Sequence, residues 1–418
     1  TLPLLLGFEN TKEVWFKGVH SAAKFALYAA RRGARTVSFR AAFCIRSLDE
    51  LRSVLSSGGL NLPVALIREF SPDALAVMEF RDQRDLDVAR KMYSRWPPLG
   101  KEIPGTPYRE FLRELESGHV QEVLTEDRAN LPHYEGRMIA QYDHRAKGYR
   151  SGRARAALWI DLPFGSAEKS IQPQWYVARE SIPSQARSRI DKYRVGFCDV
   201  ASPTNERTLV ATVLPPACIA GDKVPTVLMR SDNAPADLLV WLAVANSFAM
   251  DFLVRMKVSL KMALIILDSL PFPRLVRGDP RAHRIIASVL RLVCTGPEMN
   301  NLWNMMAEKG YAPPLEEGNV VPGSLGSDER LRLIAAIEAE VAMLFGLSRD
   351  EVAYILDTFP IVRKRDEKCY GDYRTKRLIL EAYDVVATAE FGGQPHQTLL
   401  DPPPADPRVA HPAREPKN

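Results

Sequence analysis

The sequence is poor in cysteine, and its five cysteines lie far apart, at positions 44, 198, 218, 294 and 369. No two of them form a CxxC pair, so their spacing predicts neither a disulfide framework nor a zinc site. The expected location is therefore the reducing cytoplasm. Long apolar runs are also missing, because the longest, residues 238–254, is interrupted by Asn246, Ser247 and Asp251. That run is too short and too polar for a membrane span, so it predicts a buried helix and no membrane partner.

The sequence motifs of common enzymes are absent as well. There is no GxGxxG loop, P-loop, HExxH or GxSxG sequence. The Pro-Pro-aromatic loop of amino-methyltransferases is missing, since its nearest match, residues 401–404, contains no aromatic residue. One nuclease-type Asp-x-Lys triplet, residues 366–368, has no predicted strand before it and no partner acid. The sequence therefore predicts no catalytic residue and no metal ligand in this chain.

What the chain does have is an ordinary globular composition with an unevenly distributed charge. Its 418 residues, 46% hydrophobic and 26% charged, predict two or three folded domains. The net charge of +5 permits a polyanionic partner without requiring one. Residues 137–155 alone hold five Arg and one Lys against one Asp. This short segment therefore carries an excess equal to that of the whole chain.

The pattern of strand-like and helix-like segments changes along the chain, and it predicts an α+β protein. Residues 130–230 contain short strand-like pieces separated by Gly, Pro and Ser, which is typical of a mixed or antiparallel β domain. We expect five segments: a strand-rich start at 1–45, a mostly helical connector at 46–130, the β domain at 131–275, a C-terminal helical region at 276–392 and a Pro-rich disordered tail at 393–418.

Helix signals are clearest after residue 230. One continuous helix is expected over residues 235–257, with its Pro in the first turn. The apolar stretch 263–273 predicts a strand or a strand and turn. Ser327 and Gly346 mark the start and end of a C-terminal helix, and residues 348–351 form a capping box that opens the next one.

The basic segment 137–155 is the strongest functional signal. Arginine binds phosphate with two parallel hydrogen bonds and reads guanine edges, while the glycines of the segment would let a phosphate chain come close. A tyrosine there could stack or donate its hydroxyl group. The predicted DNA contacts in this segment are Arg137, His144, Arg145, Lys147, Tyr149, Arg150 and Arg153. The alternative is a solvated loop whose charges face water.

The triplet Tyr142, Asp143 and His144 resembles a catalytic trio. Alone, such residues more often hold a turn through hydrogen bonds, and His144 has no second histidine near it in sequence for a metal site. The structural role is therefore the expectation for the triplet, while His144 is also counted among the predicted DNA contacts.

Two polar segments offer further contacts. Asn205 carries the amide that pairs with adenine, and Arg207 the guanidinium that pairs with guanine or phosphate. The alternative for this pair is a capped turn with an internal Glu206–Arg207 contact. Arg255 and Lys257, at the end of the expected long helix, could reach phosphate.

A second basic stretch covers residues 363–377, with seven basic residues against three acids. Arg374, Lys376 and Arg377 are predicted to face phosphate, and the alternative is a solvated helix end. Asn246 and Asp251, on the expected long helix, are predicted to be structural polar residues with satisfied hydrogen bonds.

Several long strings at these places resemble one protein family. They are PHYEGRMIAQYDHR, PQWYVARESI, GFCDVASPTNERTLVATVLPP, NSFAMDFLVRMKVS, LDSLPFPR and LDTFPIVRKRDEKCYGDYRTKRLILEAYD. They are similar to the C-terminal half of large adenine-specific (N6) DNA methyltransferases, the Type IIG restriction–modification enzymes and their relatives in phage defence. The resemblance covers roughly residues 60–390, and the strings follow the family's order.

The resemblance implies a target-recognition domain over residues 131–275, with residues 1–45 as the last strands of a methyltransferase sheet. It implies double-stranded DNA as the partner, and an upstream domain that binds S-adenosylmethionine and flips the target adenine. Mg²⁺ is implied where the complete enzyme carries a nuclease. Because the cofactor loop and the Pro-Pro-aromatic loop are missing, the chain is expected to hold no cofactor, to be inactive alone and to be a fragment of a longer enzyme.

Two alternatives to the fragment remain. The chain could be a stand-alone DNA specificity or interaction subunit that partners a separate catalytic protein. It could also be an independent nuclease that uses residues 366–368.

Overall fold

The computed structural model describes residues 1–392 apart from 22, 117, 119–121, 165, 167–168, 276–277 and 316–325. The tail predicted to be disordered, residues 393–418, lies outside the described residues. The predicted α+β class is confirmed, with 42% helix, 18% strand, and mixed and antiparallel sheets followed by C-terminal helices.

The strands of the described residues form four sheets. They are β1 (Leu4–Glu9), β2 (Lys24–Ala29), β3 (Ser38–Ile45), β4 (Leu60–Pro63), β5 (Tyr108–Leu112), β6 (Leu124–Thr125), β7 (Leu131–Tyr134), β8 (Lys147–Ser151), β9 (Leu158–Asp161), β10 (Tyr176–Val177), β11 (Arg194–Phe197), β12 (Ala211–Leu214), β13 (Ile219–Ala220) and β14 (Thr226–Arg230).

Helices lie mainly between the sheets and at the C-terminal end. They are α1 (Leu48–Ser57), α2 (Val64–Phe70), α3 (Gln83–Arg95), α4 (Ser184–Arg187), α5 (Ala234–Asn246), α6 (Phe248–Arg255), α7 (Leu264–Asp268), α8 (Pro280–Val293), α9 (Asn300–Glu308), α10 (Ser327–Leu344), α11 (Arg349–Asp357), α12 (Pro360–Tyr370) and α13 (Arg374–Gly392).

The N-terminal sheet has the order β2-β1-β3-β4. Strand β1 is antiparallel to β2 and parallel to β3, and β3 is antiparallel to β4. Leu6, Phe8 and Ile45 form a small core on one face. Because β4 belongs to this sheet, the sheet extends beyond residue 45, the predicted end of the strand-rich start.

The central sheet has the antiparallel order β12-β11-β14-β5. Every residue of β11 and β12 is buried, which explains their lack of polar alternation. Strand β5 comes from the predicted helical connector and pairs with β14 along five residues. The central sheet therefore crosses the predicted boundary between residues 130 and 131. Strands β13, β7, β10 and β6 form a third sheet beside it, and the fourth sheet is the β8–β9 hairpin.

The expected continuous helix over residues 235–257 is wrong. Ser247 has extended backbone (φ −72°, ψ 153°), and its hydroxyl accepts a hydrogen bond from the amide of Met250, so it ends α5 and caps α6. The two helices are bent by 58°. No single helix in the described ranges has both the length and the apolarity to cross a membrane, and only this bent pair meets that test when its two parts are joined.

Some short-range predictions agree better with the structure. Helix α3 lies in the predicted helical connector, ends before Pro97 and buries Leu86, Ala89 and Met92 on one face. The capping box that opens α11 is confirmed, since Ser348 and Glu351 each accept the other's backbone amide. The strand expected within residues 263–273 is wrong, because that apolar run contains the short helix α7.

Candidate functional site

The β8–β9 hairpin contains most of the basic segment, from Lys147 to Arg155. Lys147 lies opposite Asp161, with 3.1 Å between Nζ and the carboxylate. Tyr149 lies opposite Trp159, and their rings meet edge-on at a centroid distance of 5.6 Å. The pairing shifts by one residue after Tyr149, so Arg150 is the extra residue of a β-bulge, a device that redirects a side chain.

The tip of the hairpin is a tight turn rich in arginine. Gly152 has φ +84°, and a Cβ there would lie 2.2 Å from the carbonyl oxygen of Ala156, so only glycine fits. Arg153 is exposed, contacts Glu126 and lies 5.9 Å from the ring of Trp175. Arg150 and Arg155 are exposed too. Neither of these two forms an ion pair or side-chain hydrogen bond with any residue that the structure describes, so their charges are free.

A cleft of about 750 Å³ lies beside the hairpin tip. Strand β7, the turn that follows it and the turn between β13 and β14 form its other walls. The side chains that matter for its chemistry are His133, Glu135, Arg137, Arg153, Trp175 and Lys223. We call this space the hairpin cleft.

His133 is a deeply placed polar side chain of the hairpin cleft. It is 4% exposed, and neither of its ring nitrogens has a hydrogen-bond partner. Burial lowers the pKa of His133 to about 4, against the opposing effect of Asp222, so the ring is neutral at pH 7. Gly221 leaves room for the ring, because a Cβ there would lie 2.5 Å from Nε2.

The charges of the hairpin cleft change with depth. The side chains of Glu135 and Asp222 are 22% exposed, and they pair with the more exposed Arg137 (49%) at 3.5 Å and Lys223 (47%) at 2.7 Å. Arg153 is 74% exposed. One oxygen of Glu135 is buried without a partner, and burial raises the pKa of this carboxyl despite the nearby Arg137. The cleft therefore has a neutral to acidic interior and a basic mouth.

His144 and Arg145, predicted to contact DNA, are instead buried, and this prediction is wrong. Nε2 of His144 lies 2.8 Å from Glu298, and Arg145 lies 3.1 Å from the same carboxylate. Arg145 also donates to the carbonyl oxygen of Lys169 at 2.6 Å. The two residues fasten the β domain to the turn before α9 and have no path to a phosphate.

The turn that carries them is held internally as well. Asp143 accepts the backbone amide of Arg145 at 2.9 Å and forms a buried ion pair with Lys169. Tyr142 is buried in the main core. The three residues do not converge as a catalytic trio, and the structural role expected for Tyr142 and Asp143 agrees with their contacts.

Arg207 is likewise an internal residue, so its predicted role in base reading is wrong. Its Nε donates to Asp251 at 2.8 Å, and its guanidinium lies 3.9 Å from the ring centre of Phe248. Asp251 is fully buried, and Asn246 exchanges two 3.0 Å hydrogen bonds with the backbone of Ala211. The prediction that Asn246 and Asp251 are satisfied structural polar residues is confirmed.

Arg255 and Lys257 are also taken up inside the protein, contrary to prediction. Arg255 donates to the carbonyl oxygens of Asn205 and Glu206 at 2.6 and 2.8 Å. Lys257 donates to the hydroxyl of Ser269 at 2.7 Å, and burial lowers its pKa to about 7. The side chain of Asn205 remains exposed on this turn.

The second basic stretch is largely paired with carboxylates. Arg374 lies 3.1 Å from Asp328, Lys376 2.8 Å from Asp357 and Arg377 2.8 Å from Asp372. Arg374 and Lys376 are only 15% and 24% exposed, so the proposed DNA contact does not include them. Lys364 and Lys368, in the same stretch, are exposed and have no ion pair with the described residues.

A group of potential metal ligands lies in the N-terminal sheet. The ligand atoms of Glu9, Cys44 and Glu79 lie within 4.8 Å of one another, the only such group found in the described part of the chain. The ammonium of Lys24 pairs with both carboxylates. Burial and the charge of Glu9 raise the pKa of the Cys44 thiol to about 12, which opposes thiolate formation. An ion pair already serves these carboxylates, so the group does not fit a metal site.

The candidate site therefore consists of the hairpin and the hairpin cleft. Of the predicted contacts, Arg137, Lys147, Tyr149, Arg150 and Arg153 belong to it. Sequence reasoning did not single out His133, Glu135, Arg155 or Trp175, although all of them except Arg155 lie in strings that carry the family resemblance. Comparison with protein-family models and with curated protein sequences finds no match to this chain.

Proposed function

We propose that the chain is the DNA-recognition portion of a SAM-dependent adenine-N6 DNA methyltransferase or Type IIG restriction enzyme, with residues 131–275 as its target-recognition domain. The resemblance of the long strings supports the enzyme class. The observation that carries the proposal is that Arg150 and Arg155 are exposed without a carboxylate partner. A free guanidinium is available to phosphate, and each phosphate that it neutralises releases counterions from DNA.

The other cations of the hairpin strengthen this surface without being free. Lys147 and Arg153 have exposed carboxylate partners, Asp161 and Glu126, which are 83% and 65% exposed. Surface pairs of this kind contribute little to stability, so a phosphate can displace the carboxylate at small cost. The hairpin thus offers up to four cations along one narrow element, which is the form of a backbone-tracking contact.

The proposed catalytic partner is an upstream methyltransferase domain or a separate subunit. The first 57 residues expose large apolar side chains such as Leu27, Tyr28 and Val37. Such a surface favours a partner domain or subunit that covers it. Strand β2 is also an edge of its sheet and can pair with a further strand. S-adenosylmethionine and any Mg²⁺ belong to that partner in the proposal. A cytoplasmic location is part of it too, supported by five free cysteines.

Selection from a randomised duplex library tests the proposed function. The full chain is immobilised, exposed to the library at low salt and washed through several rounds. Enrichment of one base sequence is expected, and the double variant Arg150→Ala/Arg155→Ala should retain far less DNA. Failure of the chain to retain any duplex at low salt contradicts the proposal. If the chain retains duplex DNA but enriches no base sequence, sequence recognition is refuted and binding to the DNA backbone remains.

A further inference from the structure

We propose that the hairpin cleft binds one nucleotide unit, with the base inside against His133 and Trp175 and the phosphate at the mouth near Arg137 and Arg153. The nucleotide is either one residue of a DNA strand that has left the base stack or a free nucleotide. The DNA form of this inference rests on the proposed function, whereas the free-nucleotide form does not.

The unsatisfied imidazole of His133 is the first support. A neutral ring has one N–H donor and one nitrogen acceptor, and both lack partners here although the ring is 4% exposed. Buried polar atoms without a protein partner are costly, and water, an ion or a ligand satisfies them. The edge of a nucleobase presents donors and acceptors side by side, so it matches an imidazole that needs one of each.

The distribution of charge is the second support. Glu135 and Asp222 inside the cleft oppose an anion at that depth, and their partners Arg137 and Lys223 lie toward the mouth together with Arg153. An anion at the mouth would therefore meet three cations, each of which has a carboxylate partner that the anion can displace only in part. A ligand that is neutral and polar at one end and anionic at the other fits this gradient. A nucleoside monophosphate has that form, and inorganic phosphate alone does not.

Aromatic surface and size are the third support. Trp175 lines the hairpin cleft and is half-buried, and the guanidinium of Arg153 lies over its ring at 5.9 Å from the ring centre. An indole beside a guanidinium is a surface on which a base can stack. The volume of about 750 Å³ lies inside the range of about 300–1,000 Å³ that is usual for small-molecule sites. A duplex does not enter a space of that size, so only a single unit can occupy it.

The test uses histidine-selective NMR of the full chain. The chain has seven histidines, and the ring signals of His133 are assigned from their loss in His133→Phe. The protein is titrated separately with the four deoxynucleoside monophosphates, with a duplex that carries one unpaired base, and with inorganic phosphate. A saturable shift of the His133 signals with a monophosphate indicates the free form, and a shift with the duplex alone indicates the strand form.

Two results overturn the inference. One is that the His133 ring signals do not shift in either the monophosphate or the duplex titrations. The other is an equal shift with inorganic phosphate, which would make the cleft an anion site only. Gly221→Ala provides a second variant, because its methyl group would enter the space next to Nε2 of His133. We expect His133→Phe and Gly221→Ala to weaken nucleotide binding at least tenfold, and Arg349→Ala, a change at an exposed ion pair on α11, to leave it unchanged.

The outcome separates this inference from the proposed function. Duplex binding that persists while His133 stays silent refutes the cleft and leaves DNA recognition intact. A His133 response to monophosphates in a chain that retains no duplex refutes DNA recognition and leaves the cleft intact. Circular dichroism of each variant confirms that a loss of binding is not a loss of folding.

Discussion

Arg207 and Asp251 form a buried ion pair, with 2.8 Å between Nε and the carboxylate and no exposed surface on Asp251. The same carboxylate accepts the backbone amide of Thr208 at 3.0 and 3.1 Å. This pair therefore ties the loop before β12 to α6. An arginine in a polar segment that suggests base reading is in fact an anchor between the central sheet and the helical core.

Removing the carboxylate should expose that role. Asp251→Ala leaves the buried guanidinium of Arg207 with only the more distant carboxylate of Glu338, at 4.0 Å, and we expect the free energy of unfolding to fall by about 3 kcal/mol. Urea denaturation at pH 7 measures the change. Asp372→Ala, which removes the partner of the exposed Arg377, is the matched control and should have little effect. Equal stabilities of the two variants would show that the buried pair is not an anchor.

Glu298 should make the protein sensitive to acid. Burial alone would raise its pKa, but the hydrogen bond with His144, the charge that His144 carries once protonated and the charge of Arg145 lower the pKa to about 2. Burial lowers the pKa of His144 as well, so at neutral pH the hydrogen bond and Arg145 supply the stabilisation. Because the folded state then binds the proton more weakly than the unfolded state, the stabilisation is present above pH 4.5 and is lost as the pH falls toward 2. It is on the order of 2–3 kcal/mol at neutral pH.

Comparison with Glu298→Gln isolates this contribution. Urea denaturation over pH 7 to 3.5 should show the variant less stable at neutral pH, with a difference that narrows once the pH falls below about 4.5. A difference that stays constant across this range would mean that ionisation of Glu298 does not stabilise the fold.

Glu338 should have the opposite pH dependence. Burial raises its pKa to about 7, although Arg207 and the amide of Phe248, 2.8 Å from the carboxylate, oppose the shift. The folded state therefore binds this proton more tightly than the unfolded state, and stability declines as the pH rises from about 4.5 through 7. Glu338→Gln keeps an acceptor for Phe248 and should be the more stable protein at pH 8, by on the order of 2–3 kcal/mol. The two proteins should converge below pH 4.5, and divergence there would contradict the assignment.

His133 should be dispensable for folding. His133→Phe replaces two unsatisfied ring nitrogens with a ring of similar shape, so the free energy of unfolding should stay unchanged or rise by up to about 1 kcal/mol. Thermal and urea unfolding at pH 7, where the imidazole is neutral, provide the measurement. A loss above about 1 kcal/mol would show that the ring nitrogens have partners within the fold.

Much of the local structure could be predicted because its causes are local. The apolar face of α3 and the capping box of Ser348 and Glu351 depend on residues a few positions apart. The break at Ser247 could not be seen in that way, since a serine inside an apolar run is compatible with a continuous helix until its hydroxyl caps the next turn. The run at 263–273 was ambiguous for a related reason, because short apolar stretches suit a helix and a strand equally well.

The site was less predictable because burial depends on distant residues. Arg145 and Arg150 are neighbours in one basic run, yet Arg145 is buried against Glu298 while Arg150 protrudes at a bulge. The carboxylate that decides the matter lies 154 residues beyond His144 in the chain. Charge clustering in the sequence therefore could not separate the exposed arginines of this segment from its structural ones.

The central claim is that the β8–β9 hairpin contacts duplex DNA, and the salt dependence of binding tests it most directly. Fluorescence anisotropy with a labelled duplex is measured across a salt series for the wild type, for Arg150→Ala/Arg155→Ala and for the control Arg349→Ala/Arg363→Ala. The control removes two exposed arginines that have their own carboxylate partners on the C-terminal helices. Each lost phosphate contact reduces the slope of log K against log salt by about 0.9, so the hairpin variant should lose about 2 and the control nothing. A wild-type slope in the hairpin variant would contradict the account.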